Sequence, residues 1–240
     1  MHRKLLVSDV DGTLLGDDEA LARFVRWYES RVDQIALVYS SGRFCESIVD
    51  SIEQTALPAP TAIIGGVGTE IYGYPHATPV RGWQEQFERW DAGAVCRVAA
   101  RHSCLEPQPE EFQSTYKRSY FAYDAPASFL GELEQELLGA GVSAQIVYSS
   151  NRDLDVLPLP ANKGTAIVFL AAHWKVPAER TLVSGDSAND LAMFQQGFWG
   201  IVVGNAHRAL KELSDANVYQ ARAEFADGVV EGLDYWLGRI

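Results

Sequence analysis

The sequence predicts an α/β protein in which a parallel-sheet core carries a smaller inserted α+β domain. Short apolar runs alternate with helical patterns near both ends of the chain, which is typical of a parallel sheet with crossover helices. Between residues 82 and 157 that spacing is lost, and aromatic runs of alternating polarity replace it. We therefore predict a core built from residues 1–81 and 158–240, with the inserted domain over 82–157.

Composition narrows the class of partner. At 240 residues and 47% hydrophobic content, the chain can bury a sizeable core. Its net charge of −12 leaves no basic surplus for neutralising phosphate backbones or anionic lipids, so we expect neither nucleic acid nor membrane as partner. Cys45, Cys96 and Cys104 lack CxxC spacing, and no apolar run has signal-peptide or membrane-spanning length. We expect a cytoplasmic location.

The first apolar run, Leu5–Val7, predicts a buried strand that ends in two aspartates. Asp9 and Asp11 are two residues apart, so both side chains lie on one side where the strand opens into a loop. Ligands bind at this carboxyl edge in open α/β sheets. Paired carboxylates at such an edge suit catalysis, and an Asx turn that caps the next helix is the alternative for this segment alone.

The next unit repeats the pattern of a strand, a polar turn and a helix. Asp17–Arg31 predicts an amphipathic helix with an acidic start, Ile35–Tyr39 a strand, and Phe44–Gln54 another helix. Between them, Ser41-Gly42-Arg43 offers a hydroxyl, backbone N–H groups and a positive charge. These groups suit an anion site at a helix start, and an ordinary N-cap is the alternative.

A third predicted strand, Thr61–Gly65, runs into the glycine-rich segment Gly65–Gly68. Glycines permit a tight loop and close approach to a ligand, whereas a plain turn between strands is the alternative. The GxGxxG spacing is absent, so no nucleotide cofactor is predicted. Within the inserted region, helical patterns over Trp83–Arg101 and Pro126–Ala140 predict two helices. Alternating runs over Tyr116–Tyr123 and Ala144–Tyr148 predict strands.

The second core segment again places charge where strands end. Lys163-Gly164 precedes a predicted helix, where a lysine can meet an anion. Thr181–Ser184 predicts a strand, followed by Asp186 and then by Asp190 in the first turn of a helix, near enough to share a hard cation. An acidic helix cap is the alternative. The remaining predicted elements are helices 166–173, 191–196, 207–213 and 228–237 and a strand over 200–203.

Four segments taken together resemble a known superfamily. In chain order they are Asp9–Thr13, Ser41–Arg43, Lys163-Gly164 and Gly185–Asp190. This set closely resembles the haloacid dehalogenase superfamily of phosphohydrolases, which implies a Rossmann-like core with an α/β cap inserted between the second and third segments. Over essentially its whole length the chain resembles the sucrose-phosphate phosphatase family and its mannosylfructose-phosphate phosphatase relatives. The further matching stretches are Gly66–Tyr72, Tyr148–Ser150, Asp153–Pro158 and Val203–Ala206.

The resemblance implies a Mg²⁺-dependent phosphatase that hydrolyses a disaccharide phosphate, with sucrose 6-phosphate as the first expectation. The doubled glycine Gly65-Gly66 is closer to the mannosylfructose branch, so mannosylfructose phosphate or another sugar phosphate is the alternative. A hexose-phosphate mutase is a remoter alternative, and a non-catalytic binding protein is disfavoured because the reactive groups are present. Association with a glycosyltransferase-type synthase is left open, and we expect a monomer.

The chemistry assigns roles to these residues. Asp9 is the candidate nucleophile and Asp11 the candidate general acid and base. Mg²⁺ is expected on Asp9, Asp186, Asp190 and, by resemblance, the main-chain carbonyl of Asp11. The candidates for holding the phosphate are Ser41, where the family often has Thr, with Gly42, Arg43, Lys163 and Asn189. By resemblance, the candidates near the sugar or the phosphate surroundings are Gly68, Glu70, Lys117, Asp155 and Asn205.

Overall fold

The computed structural model describes residues 3–239, which form two compact units. The core unit contains the described residues up to Val80 and from Lys163 onward, and the inserted unit is Arg81–Asn162. Residues 1, 2 and 240, which the sequence assigns to the core, lie outside the described residues. No helix within 3–239 is both long and apolar enough to cross a bilayer.

Both units contain strands and helices, and those between Arg81 and Asn162 belong to the inserted unit. The strands are β1 (Lys4–Ser8), β2 (Ile35–Ser40), β3 (Ala62–Gly65), β4 (Glu70–Gly73), β5 (Thr78–Pro79), β6 (Glu106–Pro107), β7 (Arg118–Phe121), β8 (Ala144–Ser149), β9 (Asp153–Pro158), β10 (Thr181–Gly185), β11 (Trp199–Val202) and β12 (Val218–Gln220). The α-helices are α1 (Asp18–Glu29), α2 (Cys45–Gln54), α3 (Ala92–Ala99), α4 (Ala127–Gly139), α5 (Lys163–His173), α6 (Leu191–Phe194), α7 (Arg208–Lys211) and α8 (Phe225–Leu237).

The core unit is built on one sheet with the strand order β12-β11-β10-β1-β2-β3-β4-β5. The strands from β12 to β3 are parallel, and β4 and β5 are antiparallel to their neighbours. In the centre, Val7 of β1 is paired with Val183 of β10 and Val38 of β2, and all three are fully buried. Strands buried on both faces read as continuous apolar runs, so the predicted parallel-sheet core is confirmed.

Helix α1 begins where its acidic start predicts. Asp17 is the N-cap, and its Oδ1 accepts hydrogen bonds from the N–H groups of Glu19 and Ala20 at 2.9 and 3.0 Å. Such a cap satisfies donors that the first helical turn leaves without a partner. The buried face of the helix carries Leu21 and Phe24, in agreement with the helical spacing of its apolar residues.

The inserted unit is an antiparallel sheet with the strand order β6-β7-β9-β8. Its hydrophobic core joins α3 and α4 to the strands through residues such as Val95, Leu133 and Leu154. The single helix predicted over Trp83–Arg101 is wrong in extent, because only Ala92–Ala99 is α-helical.

The physical reason is a helix start inside the predicted helix. Asp91 caps α3 by accepting a hydrogen bond from the N–H of Ala94 at 2.9 Å. Trp83 and Phe87 lie before that cap and meet edge to face, with ring centroids 5.3 Å apart. The helical spacing over Trp83–Arg101 therefore combines two separate sets of buried residues, the ring pair Trp83–Phe87 and the apolar face of α3.

Candidate active site

The site is built at the carboxyl end of β1. The N–H of Asp9 still donates to Ser184 O of β10 at 2.9 Å, so the aspartate continues the strand pairing. The next residue, Val10, turns the chain, since its carbonyl accepts the N–H groups of Leu14 and Leu15 at 3.0 and 2.9 Å. Asp9 is consequently held by the sheet and is 4% exposed.

Lys163, the first residue of α5, lies fully buried against Asp9. Its Nζ donates to Asp9 Oδ1 at 2.6 Å, to Asp190 Oδ1 at 2.5 Å and to Asn189 Oδ1 at 3.0 Å. An ammonium has three donors, and all three therefore have acceptors here. A charge is tolerated in a protein interior only with such partners.

The charged groups around Lys163 shift one another's pKa values. Burial raises the pKa of Asp9 well above its usual range, and the nearby charge of Asp190 adds to the rise. Burial, followed by the charge of Asp190, raises the pKa of Asp186 to about 6. Burial alone lowers the pKa of Lys163, but Asp190 and Asp9 outweigh it and hold that pKa above its ordinary value. Negative charge is in excess, which favours a cation.

The donor atoms fit a hard divalent cation. Asp9, Asp186 and Asp190 each offer a carboxylate oxygen, and these oxygens lie within 4.8 Å of one another. Oxygen ligands of this kind are those that Mg²⁺ prefers. Asp190 already uses both oxygens, because Oδ1 accepts from Lys163 and Oδ2 accepts from the N–H groups of Asp186 and Ser187, each at 3.0 Å. Asp9 and Asp186 are therefore the better placed pair for a cation.

Gly12 allows the loop after Asp9 to approach Asp186. Its φ is +83°, and a Cβ there would lie 2.6 Å from Asp186 Oδ2. Thr13 Oγ1 donates to Asp186 Oδ1 at 3.3 Å, a contact that sequence reasoning missed although Thr13 belongs to the first motif. A side chain at position 12 would push the loop after Asp9 away from Asp186, so this close approach requires glycine.

Asn205 holds the same loop from the other side. Its Nδ2 donates to Gly12 O at 2.7 Å, and its Oδ1 accepts from the N–H of Phe225 at 2.8 Å. The sequence assigned this residue to the sugar or phosphate surroundings. In the structure, both ends of the Asn205 amide bind main-chain groups instead. These two hydrogen bonds join the loop after Asp9 to the start of α8.

The loop after β2 lies beside this cluster. Ser41 is 1% exposed, and its Oγ accepts from the N–H of Arg43 at 3.1 Å. A Cβ at Gly42 would lie 3.6 Å from Asn189 Nδ2, so the loop passes next to a residue that binds Lys163. All four of the predicted segments thus converge. Arg43 instead directs its Nε toward Asp11 Oδ2 at 2.8 Å.

Gly68 ends the glycine-rich segment, and Glu70 begins the next strand, β4. Glu70 Oε2 accepts from the N–H of Cys45 at 3.0 Å and so caps α2, whose own N-cap residue, Phe44, makes no side-chain cap. Gly68 is buried in the short 3₁₀ turn Gly66–Gly68, with φ at +101°. The structure thus gives Glu70 a helix-capping contact that the sequence did not predict.

Lys117 and Asp155 belong to the inserted unit, where both are buried. Lys117 Nζ lies 3.2 Å from Asp155 Oδ1, and Ser119 Oγ donates to the same oxygen at 2.6 Å. Ser119 of β7 lies directly opposite Asp155 of β9, and Lys117 comes directly before β7. They form one polar group on the inserted sheet.

Comparison with known proteins places the chain in a family. The model of the family described as sucrose-6F-phosphate phosphohydrolase matches residues 2–237. The chain belongs to this family. A relative, the mannosylfructose-phosphate phosphatase of Agrobacterium fabrum, is 38% identical over 97% of this chain and 96% of its own length. The chain spans about 60% of the length of the sucrose-phosphatases of Arabidopsis thaliana and Nicotiana tabacum that it matches.

Solved structures agree with this assignment to the sucrose-6F-phosphate phosphohydrolase family. The sucrose-phosphatase of Synechocystis sp. PCC6803, solved in complex with sucrose and phosphate, has a TM-score of 0.92 and 30% identity, and the match covers 98% of each chain. A haloacid dehalogenase-like hydrolase of Bacillus subtilis has a TM-score of 0.69 at 20% identity, covering 99% of this chain and 93% of its own, and shows the fold alone. The predicted superfamily and fold class are confirmed.

Proposed function

We propose that the protein is a Mg²⁺-dependent phosphatase that hydrolyses a disaccharide phosphate through an aspartyl-phosphate on Asp9. Sucrose 6-phosphate is the first candidate substrate. One observation carries the proposal: Lys163 Nζ contacts Asp9 Oδ1 in a buried cluster at the carboxyl end of β1. Family membership supports the same reaction class, because the family is described as a sugar-phosphate phosphohydrolase.

The proposed reaction has two steps. In the first, a carboxylate oxygen of Asp9 attacks phosphorus, the bond from phosphorus to the sugar oxygen breaks, and Asp11 gives that oxygen a proton. In the second, water attacks the phosphorus of the aspartyl-phosphate, the bond from phosphorus to the Asp9 oxygen breaks, and the water gives a proton to Asp11. Both carboxyl groups are thereby restored. Free sugar and inorganic phosphate are the products.

An acidic site must first receive a phosphate dianion. A bound Mg²⁺ would supply positive charge and polarise the phosphate oxygens, and Asp9 and Asp186 are the residues best placed to hold it. The Ser41 hydroxyl and the main-chain N–H of Gly42 are the proposed donors to the non-bridging oxygens. Lys163, whose three donors already have acceptors, would reach the phosphate by exchanging its contact with Asp9 Oδ1. Lys163 is positioned for this task by Asn189 and Asp190.

Mannosylfructose phosphate is the second candidate substrate. Two observations favour it: the doubled glycine at Gly65-Gly66, and the 38% identity to a mannosylfructose-phosphate phosphatase against 30% to the sucrose-phosphatase of known structure. Both candidates place a phosphate on a disaccharide, so the chemistry at Asp9 is the same for either. The inserted unit, with its buried Lys117 and Asp155, is the proposed determinant of the choice.

A phosphate-release assay tests the proposal. Purified protein is given sucrose 6-phosphate, mannosylfructose phosphate, trehalose 6-phosphate and simple hexose phosphates, with Mg²⁺ and after exhaustive chelation. We expect release from a disaccharide phosphate that stops on chelation and returns with Mg²⁺. Full activity without metal, or phosphate moved between sugar hydroxyls without release, contradicts the proposal. A cytoplasmic location, a monomeric state and association with a glycosyltransferase-type synthase stay predictions that fractionation, light scattering and co-purification can test.

A further inference from the structure

Arg43 makes contacts that its predicted role as a phosphate ligand does not explain. Its Nε donates to Asp11 Oδ2 at 2.8 Å, across 32 positions of the chain. Its Nη1 donates to Ser51 Oγ at 2.9 Å and lies 3.5 Å from Ser47 Oγ. The two serines are one helical turn apart on α2, so the helix fixes one end of the guanidinium and Asp11 receives the other.

The remaining nitrogen of the guanidinium points away from solvent. Nη2 is buried and has no hydrogen-bond partner among the described residues. Nε and Nη1 are both engaged, so no nitrogen of Arg43 is both exposed and unpaired. A phosphate ligand needs the opposite arrangement, with donors open to the incoming anion.

Asp11 depends on Arg43 for its orientation. Its side chain is 56% exposed, and within residues 3–239 Arg43 is the one side chain with which it forms an ion pair or a hydrogen bond. An exposed carboxylate without such a contact samples several rotamers. A general acid has to hold one orientation, because a proton is transferred only over hydrogen-bond distance.

We propose that Arg43 is the positioning residue for Asp11, a rigid fork between α2 and the carboxyl group that protonates the departing sugar oxygen. The inference rests on the proposed function, in which Asp11 is the general acid. Arg43 touches neither phosphorus nor the sugar in this role. Its planar guanidinium can bind the serines and Asp11 together, whereas a lysine ammonium cannot reproduce the fork.

The proposal makes a distinction between leaving groups. A sugar leaves as an alkoxide unless its oxygen is protonated while the bond from phosphorus breaks, so its release needs Asp11 in place. The nitrophenolate of p-nitrophenyl phosphate is a stable anion and leaves without that proton. Loss of positioning therefore slows the first step selectively for the sugar phosphate, whereas loss of a phosphate ligand slows that step for both substrates and weakens phosphate binding.

The experiment compares Arg43→Gln, Arg43→Lys and Ser51→Ala with the wild type on two substrates. These are the best sugar phosphate of the panel and p-nitrophenyl phosphate. For Arg43→Gln we expect kcat/KM on the sugar phosphate to fall about tenfold or more, with less than about threefold change in kcat/KM on p-nitrophenyl phosphate. The ratio kcat/KM reports the steps up to departure of the leaving group, so the second step, in which Asp11 acts as general base on either substrate, does not enter it. Inhibition by inorganic phosphate should stay within about twofold of wild type. Arg43→Lys should not restore activity, and Ser51→Ala should give a smaller loss of the same selectivity.

A double-mutant cycle links the effect to Asp11. In an Asp11→Asn background, Arg43→Gln should cause no further loss on the sugar phosphate. Equal losses of kcat/KM on both substrates, or weaker inhibition by phosphate, would overturn the inference while leaving the proposed function intact. If Arg43→Gln does not fold by circular dichroism, Ser51→Ala decides, and an unselective loss in that variant overturns the inference. A wild type inactive on every sugar phosphate refutes the proposed function instead.

Discussion

Lys163 Nζ lies 2.6 Å from Asp9 Oδ1, although the two residues are 154 positions apart. The contact joins the first residue of α5 to the end of β1, and both side chains are buried. Asp190 binds the same ammonium at 2.5 Å. This one lysine therefore links distant segments of the core unit and offsets negative charge on Asp9 and Asp190.

Lys163→Met should destabilise the metal-free protein strongly. Removing one partner of a buried ion pair leaves an uncompensated charge, which costs about 3–5 kcal/mol. Urea unfolding of the variant measures this, with Lys211→Met at an exposed position as the matched control. Combining Lys163→Met with Asp190→Asn should recover part of the loss. Equal stability of the Lys163 and Lys211 variants contradicts the expectation.

Asp9→Asn should abolish phosphate release and preserve the fold. Removing a nucleophile lowers kcat by about 10⁴-fold or more in well-studied enzymes. Because burial raises the pKa of Asp9, its charged form is disfavoured in the metal-free protein, and a neutral amide of the same shape is tolerated. Phosphate release and circular dichroism are measured beside Asp215→Asn, an exposed control. Near-normal turnover by Asp9→Asn removes the nucleophile assignment.

Mg²⁺ should stabilise the protein more at high pH than at low pH. Burial raises the pKa of Asp186 to about 6, so between its unfolded value and that pH the folded state binds more protons. The free energy of unfolding of the metal-free protein therefore falls as pH rises through this interval.

Mg²⁺ binds the carboxylates in their ionised form, so the stabilisation that it adds increases as pH rises. We expect the Mg²⁺-induced rise in Tm to be small near about pH 5 and larger near about pH 8. Scanning calorimetry with and without Mg²⁺ measures it, and Asp186→Asn should reduce the pH dependence, with Asp9 supplying the remainder. A rise in Tm that is the same at both pH values would count against the metal site.

Glu70→Ala should act on stability through α2. Loss of the cap on the Cys45 N–H costs about 1 kcal/mol, as for other helix N-caps. Thermal unfolding measures it, with Glu53→Ala, near the other end of the same helix, as the control. If Glu70→Ala changes KM for the sugar phosphate with no loss of Tm, the residue contacts substrate and the capping role is secondary.

Exchange of the inserted unit should change the preferred sugar. A chimaera that carries residues 81–162 from a relative of different specificity keeps Asp9, Asp186 and Lys163 of this chain. We expect the ratio of kcat/KM for two disaccharide phosphates to move toward that of the donor, because discrimination is a difference in binding to the transition state. Chelation should still stop activity. An unchanged ratio contradicts a role of the unit in specificity.

The sequence predicted elements whose signal is local. Asp17 begins α1 as its acidic start indicates, and the apolar run of β1 lies at the sheet centre. The prediction of one helix over Trp83–Arg101 was wrong in extent, because a spacing of three to four residues cannot distinguish one helix from a short helix preceded by a separately packed loop. The edge strand β12 was missed, since its three residues are too short for a pattern.

The site was predicted by residue type but not by pairing. The aspartates, Ser41 and Lys163 were named from motifs, whereas the contact between Arg43 and Asp11 and the three donors on Asp190 depend on side-chain directions. Asn205 was expected near substrate and instead binds main-chain groups of two segments. Hydrogen-bond partners far apart in sequence leave no trace in spacing.

The inserted unit ends at Asn162, and the next residue is the buried Lys163. On the amino side of this boundary the inserted unit is held by its own hydrophobic core, and on the carboxyl side Lys163 belongs to the buried charge cluster with Asp9 and Asp190. Under the proposed division of roles, the segment between Val80 and Lys163 can be exchanged for a different sugar while the chemistry at Asp9 is kept.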